Sequence, residues 1–301
     1  MSMTLPPLQT PNAVLPKTKT MSYRLNFLWY LSRRSPLTLV GAIIIILVIV
    51  MIIFAPWIAP YNPDKISLTS RLLPPSTAHW FGTDEVGRDL FSRVIYGSRA
   101  SCGAAFMIVL ISMSIGVIIG CLSGIWGGRV DTSIMRLMDV VMALPALVLA
   151  MALAAALGPS LFNSMLAVAI VRIPAYVRLA RGQTLSLREQ VYVKASRTYG
   201  ASAFYILRWH ILPNAMSPII VQATLDLGGV VLIAAALSFI GLGAQPPTAE
   251  WGAMVSSGRS FMLDQWWYAT FPGLAILITA TGCNLLGDGI RDMLDPRLRT
   301  R

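Results

Sequence analysis

Charge is scarce in this 301-residue chain: Asp, Glu, Lys and Arg make up 12% of it, about half the fraction of an ordinary soluble domain. Apolar residues account for 55%, and the mean hydropathy is +0.67. That leaves too little polar surface to face water, so lipid is the expected solvent. Cysteine is scarce too. Cys102, Cys121 and Cys283 lie in apolar surroundings without disulfide or ligand spacing, which excludes a disulfide scaffold and a zinc module. The 2 histidines, His79 and His210, form no H-E-x-x-H pattern. The chain also lacks a G-x-x-x-x-G-K-[ST] phosphate loop and a G-x-S-x-G elbow. Phosphate-loop ATP binding, zinc proteolysis and serine hydrolysis therefore have no residues to carry them, and neither a catalytic residue nor a metal site is expected.

Long charge-free runs are what the chain has in quantity. A helix needs about 20 apolar residues to cross a bilayer. Runs of that order occur at 35–63, 100–128, 140–171, 209–225, 227–249 and 265–287. Gly158-Pro159-Ser160 divides the third, and Asp226 alone separates the fourth from the fifth. This predicts an all-α, polytopic membrane fold of six helices near 37–59, 101–125, 134–157, 162–182, 214–242 and 269–290.

Most of the 24 Lys and Arg residues fall on the side shared by the two termini. They include Lys17, Lys19, Arg24, Arg33 and Arg34, then Arg129 and Arg136, then Arg172, Arg178, Arg181, Arg188, Lys194, Arg197 and Arg208. Only Lys65, Arg71, Arg88, Arg93, Arg99 and Arg259 fall opposite. By the positive-inside rule both termini are expected in the cytoplasm. The net charge of +11 is then topological, and no nucleic-acid partner is needed. The first run is too long for a signal-peptide core and lacks a small-x-small cleavage site, so it reads as an uncleaved anchor. Trp57 and Tyr61, and Trp266, Trp267 and Tyr268, stand where an aromatic belt is expected.

Some segments carry more than hydropathy. Gly116, Gly120 and Gly124 share one helix face and allow close backbone approach in lipid, within the subunit or between subunits. Between the fourth and fifth helices, Leu187, Val191, Ala195 and Tyr199 recur every four residues. Gly200 interrupts, and Phe204, Leu207 and Ile211 resume before Pro213. The pattern is helix, glycine turn, helix, to be packed on a partner or laid on anionic lipid. On the opposite side Asp84, Glu85, Arg88 and Asp89 either order a cap that meets a binding protein or form a self-satisfied set of ion pairs. Asp139 lies three residues after Arg136, close enough to pair on one helix face. Asp226 falls at hydrocarbon depth, where a carboxylate needs a cavity or a partner. Asp226 and Asp139 are thus candidates for the translocation pathway. A cargo amine and a neighbouring subunit are the two partners weighed for Asp226.

The run YVKASRTYG at 192–200, followed by ILP at 211–213, resembles the E-A-A-x3-G-x9-I-x-L-P loop of ABC importer permeases. Lys194, Ala195 and Ser196 occupy the E-A-A positions, His210 stands at the isoleucine, and Gly200, Leu212 and Pro213 match in place. The resemblance implies a type I ABC importer transmembrane domain whose loop, including Ala201, docks in a groove of an ATPase. Lysine in place of glutamate reverses a charge there. FGTDEVGRDLFSR at 81–93, LSFIGLGAQPP at 237–247, EWGAM at 250–254 and LGDGIRDMLDPR at 286–297 are similar to the dipeptide, oligopeptide and nickel branch, most nearly to second permeases of D,D-dipeptide importers.

That likeness implies a homologous second permease, two ABC ATPase subunits that hold ATP and Mg, and a periplasmic substrate-binding protein. This chain would bind no cofactor and would sit in the bacterial inner membrane. The expected divisions are a cytoplasmic tail at 1–24, an anchor segment at 25–75 and an extracytoplasmic loop at 76–100. A permease core follows at 101–292, with its coupling loop at 182–213, and then a tail at 293–301. Nickel-chelate or glutathione import remains an alternative within the branch. Outside it stand a secondary transporter or channel and a non-transporting scaffold.

Overall fold

The computed structural model describes residues 36–294. The tail expected at 1–24, the start of the anchor segment and most of the tail at 293–301 lie outside the described residues. Every regular element among those residues is helical, apart from one isolated bridge between Thr83 and Asp89. Five helices are long and apolar enough to cross a membrane, or six if one bent pair counts as a single span.

The first helix, α1, runs Pro36–Ile58. Leu37, Ile46, Leu47, Ile53 and Trp57 are exposed around it, as suits a helix bathed in lipid. Pro56 lacks an N–H, which leaves the carbonyl of Ile52 without its usual amide. Arg99 fills the gap: Nε donates to Ile52 O at 2.7 Å and Nη2 to Ile53 O at 3.2 Å.

Helix α2 (Leu90–Trp126) starts eleven residues before the expected boundary, because charge interrupts the hydropathy run but not the helix. Asp89 caps it by accepting from Ser92 N at 2.8 Å. Arg93 is buried and donates through Nη1 to Pro63 O at 3.0 Å and through Nη2 to Pro247 O at 3.3 Å. Its charged end therefore joins the loop at Pro63 to the one at Pro247.

The third expected helix, 134–157, is a correction. It is two helices, α3 (Gly128–Met142) and α4 (Ala146–Leu157), bent by 89° at the break. Pro145 is the cause, since it holds an extended conformation, with φ −56° and ψ 129°, where a continuous helix needs ψ near −42°. A turn with Gly158 at φ +90° then leads into α5 (Leu161–Arg188), whose first turn Ser160 caps. Helix α2 packs along α5 through the expected glycine stripe. A Cβ on Gly116 would lie 2.5 Å from Tyr176 Cβ, and one on Gly124 2.7 Å from Thr184 Cβ. The stripe is an intrachain seam.

Beyond α5 come α6 (Val191–Thr198) and α7 (Ala203–Ile206), then a π-turn (Leu207–Ile211) that continues into α8 (Leu212–Phe239). A short α9 (Trp251–Gly258) and a final α10 (Trp267–Leu294) complete the described residues. Glu250, in the EWGAM run, caps α9 by accepting from Gly252 N at 3.0 Å and Ala253 N at 2.8 Å, and it also takes a bond from Ser101 Oγ. Trp251 is fully buried and its indole donates to Val94 O at 2.8 Å. That motif is structural, since it ties α9 to α2.

Candidate coupling hairpin and intramembrane ion pair

The expected helix–turn–helix is present. Gly200, at φ +83°, makes the turn between α6 and α7. Ser202 caps α7 by accepting from Tyr205 N at 3.2 Å. Pro213 cannot donate to the carbonyl of Trp209, and its ring would crowd that turn in a tight α-helix. The wider π-turn accommodates it, with Leu212 N bonded back to Leu207 O. Asn214 Nδ2 donates to His210 O at 2.6 Å. The Leu212-Pro213 pair thus has a mechanical reading: it sets the joint between the hairpin and α8.

Which face is buried differs from the expectation. Val193, Ile206 and Ile211 form the hairpin's own small core, against Ile125 of α2, Leu187 of α5, Ala201 and Leu207. Val191 and Tyr199, expected to share an inward stripe with Leu187 and Ala195, are 83% and 92% exposed. The reason is a break at Glu189 and Gln190, where α5 stops and α6 restarts on a new axis. Spacing counted across that break has no geometric meaning. The outward surface therefore carries Val191, Tyr192, Tyr199, Phe204, Tyr205 and Trp209.

Lys194, at the reversed-charge position, is held by Glu189 Oε2 at 3.0 Å. Hydrogen bonding from Lys194, and then its charge, keeps the Glu189 carboxyl below the usual carboxylate range. Ser196 Oγ lies 3.2 Å from His210 Nε2 across the hairpin. Ala195 is exposed and Ala201 half-buried.

Arg188 Nη1 donates to Gly124 O at 3.0 Å. Arg181 holds Asp131 through Nε at 2.5 Å and Nη2 at 2.6 Å. The base of the hairpin is thereby fastened to the ends of α2, α3 and α5.

At the cap end, Asp84 is fully buried. It accepts from Arg88 N at 2.8 Å and Arg88 Nε at 2.6 Å. Asp89 accepts from Ser92 and also pairs with His79 Nδ1 at 2.9 Å. Asp84, Arg88 and Asp89 therefore spend their charge on each other and on the loop.

Asp139 does not pair with Arg136. Its partner is Arg178 of α5, with Nη2 at 2.6 Å. Asp226 is engaged from within the chain. Arg172 binds both its oxygens, Nη2 toward Oδ1 and Nε toward Oδ2, and Tyr176 Oη donates to Oδ2 at 3.1 Å. Sequence reasoning missed Arg172, which it assigned to a flank; α5 instead carries it mid-helix. No group of three His, Cys, Asp or Glu side chains able to hold a metal occurs among the described residues.

The sequence that builds these helices and the hairpin matches a known family. Residues 116–300 match the family described as binding-protein-dependent transport system inner membrane component. The chain belongs to it. Residues 28–75 match the N-terminal transmembrane domain of oligopeptide transport permease C. The chain is 60% identical over 286 residues to the probable D,D-dipeptide transport permease of Escherichia coli (strain K12), covering 95% of this chain and 96% of that one. A di/tripeptide transport permease of Pseudomonas aeruginosa is 43% identical over 299 residues, 97% of each chain. A glutathione transport permease of Escherichia coli is 46% identical over 272 residues, 90% of each. The family places the chain among multi-pass inner-membrane transport subunits.

Proposed function

We propose that this chain is the permease subunit of an ATP-driven importer that carries dipeptides across the bacterial inner membrane, D,D-dipeptides foremost. Both termini and the hairpin face the cytoplasm, and the 59–89 loop region faces outward toward a substrate-binding protein. A homologous second permease completes the path. Two ATPase subunits bind ATP and Mg, and each permease presents one hairpin to one of them.

The observation that carries this reading is the hairpin. It is ordered by its own small core yet turns six aromatic or aliphatic side chains outward, Val191, Tyr192, Tyr199, Phe204, Tyr205 and Trp209. An apolar surface of that kind on a folded element suits a protein groove. Its mechanical consequence follows from the packing. Because Val193, Ile206 and Ile211 seat on Ile125 and Leu187, a pull on the hairpin reaches α2, α5 and α8 together. Moving a two-state balance from 1:99 to 99:1 takes about 5.5 kcal/mol, which closure of nucleotide-bound ATPases supplies through this joint.

A proton- or ion-coupled transporter would need an acid free to titrate. Asp226 and Asp139 are both engaged by arginine, which favours the ATP-driven reading. The substrate class rests on the relatives' names and on the higher identity to the dipeptide permease. The test is uptake of labelled D-alanyl-D-alanine by the complete complex in proteoliposomes. Uptake should require ATP and ignore the proton gradient. Uptake without ATP that collapses with the gradient would contradict the proposal.

A further inference from the structure

The ion pair between α5 and α8 has an asymmetry that bears on cargo. The Asp226 side chain is 2% exposed, while that of Arg172 is 26% exposed. Both carboxylate oxygens already accept from Arg172 or Tyr176 and the group is buried, so Asp226 presents little to a cargo amine. Arg172 gives Nε and Nη2 to Asp226, and its third nitrogen, Nη1, makes no hydrogen bond among the described residues. Nor is Nη1 among the described buried polar atoms left without a partner. It therefore stands at the open edge of the pair. The accessible member is the cation.

Depth makes this edge significant. Arg172 lies about 17 Å along α5 from Leu161, and Asp226 about 21 Å along α8 from Leu212 at 1.5 Å per residue. In a hydrocarbon core of about 30 Å both are near the middle. An open guanidinium there is costly against lipid and faces a water-filled cavity or protein. Pro174 interrupts the helix ladder two residues further on, since it has no N–H to give to the carbonyl of Ile170, and Ala175, one turn from Arg172, is exposed. Irregular backbone at membrane depth is found where it lines a cavity or is covered by protein.

We propose that Arg172, anchored by Asp226 and Tyr176, is a way-station that takes the terminal carboxylate of a passing peptide through Nη1. This rests on the peptide-importer reading. Prior neutralisation by Asp226 is what suits the guanidinium to the task. A bare arginine at this depth would hold an anion too tightly, whereas a transport path needs sites weak enough to leave. The one nitrogen left free, Nη1 with its two N–H groups, gives direction and selectivity without trapping the cargo.

The experiment compares D-alanyl-D-alanine with its C-terminal amide. Each is delivered on saturated binding protein to the complete complex in proteoliposomes. In an Ala175→Cys variant, read against the same complex without the substitution, a cationic thiol reagent should alkylate the introduced thiol. The free acid should slow that alkylation about tenfold and the amide should not. A thiol that never reacts, or that both peptides protect equally, overturns the way-station.

Arg172→Gln combined with Asp226→Asn removes both charges, isosterically at 226 and with a shorter polar side chain at 172. It should lower the acid-to-amide ratio of uptake rates about tenfold. An unchanged ratio in an assembled complex overturns the proposal while leaving the importer intact. A native complex that carries neither peptide contradicts the importer reading, and the way-station falls with it.

Discussion

Arg99 supplies to Ile52 the hydrogen bond that Pro56 cannot. Its Nε sits 2.7 Å from the Ile52 carbonyl, and Pro56 is the residue whose amide would have been there. The relationship predicts non-additivity. Arg99→Met should destabilise the chain by about 1 kcal/mol, as expected for a polar contact between helices in lipid. Pro56→Ala restores the missing N–H, so Arg99→Met in that background should cost markedly less. Thermal unfolding of the four proteins in detergent measures the cycle, and equal losses in both backgrounds would remove Arg99 from this role.

Gly120 tests the seam between α2 and α5. A Cβ there would press on Val177 O and stand 2.9 Å from Ala180 Cβ and 3.0 Å from Arg181 N. These are backbone and near-backbone atoms that cannot swing aside. Gly120→Ala should destabilise by about 1–3 kcal/mol. Gly103 lies on the same helix with nothing within 4 Å of its added Cβ. Gly103→Ala should be neutral or slightly stabilising, by up to about 1 kcal/mol. Thermal stability of the two variants in detergent reads the difference.

Much of this was legible in advance. Runs without charge located the spans, because a bilayer tolerates few charges and requires a minimum length. Gly200 and Pro213 located the hairpin turn and the joint, because glycine takes a positive φ without strain and proline withholds an N–H from the helix. Legibility ended where hydropathy and helix part company. Arg93 and Arg99 hid the true start of α2, since both cations are satisfied by backbone carbonyls, and Pro145 broke one expected span into two short helices. Arg172 was read as a flanking charge. Asp226 and Arg172 are 54 positions apart in sequence, and only packing of α5 on α8 joins them. An arginine and an aspartate at matching depth in two expected spans were the available signal, and pairing charges by depth would have found it.

The Glu189–Lys194 pair makes a pH prediction. The glutamate is held below its ordinary value, first by hydrogen bonding from Lys194 and then by its charge. A depressed carboxyl contributes what it contributes above its unfolded value, about 4.3, and loses it as pH falls through the lower folded value. The pair therefore stays formed throughout the neutral range and opens only in acid. Lys194→Ala should return the Glu189 titration, followed by NMR of selectively labelled glutamate in detergent, toward the ordinary value. Because both side chains are exposed, high salt should shift the native titration the same way.

The most direct measurement of the central claim is a crosslink from the hairpin. Ala195 is exposed on α6 beside the aromatic surface. In membranes containing the complete complex, Ala195→Cys carrying a short photo-crosslinker should attach to the ATPase subunit, and the yield should change between ATP-bound and nucleotide-free states. Attachment to phospholipid alone, in every nucleotide state, would contradict the account.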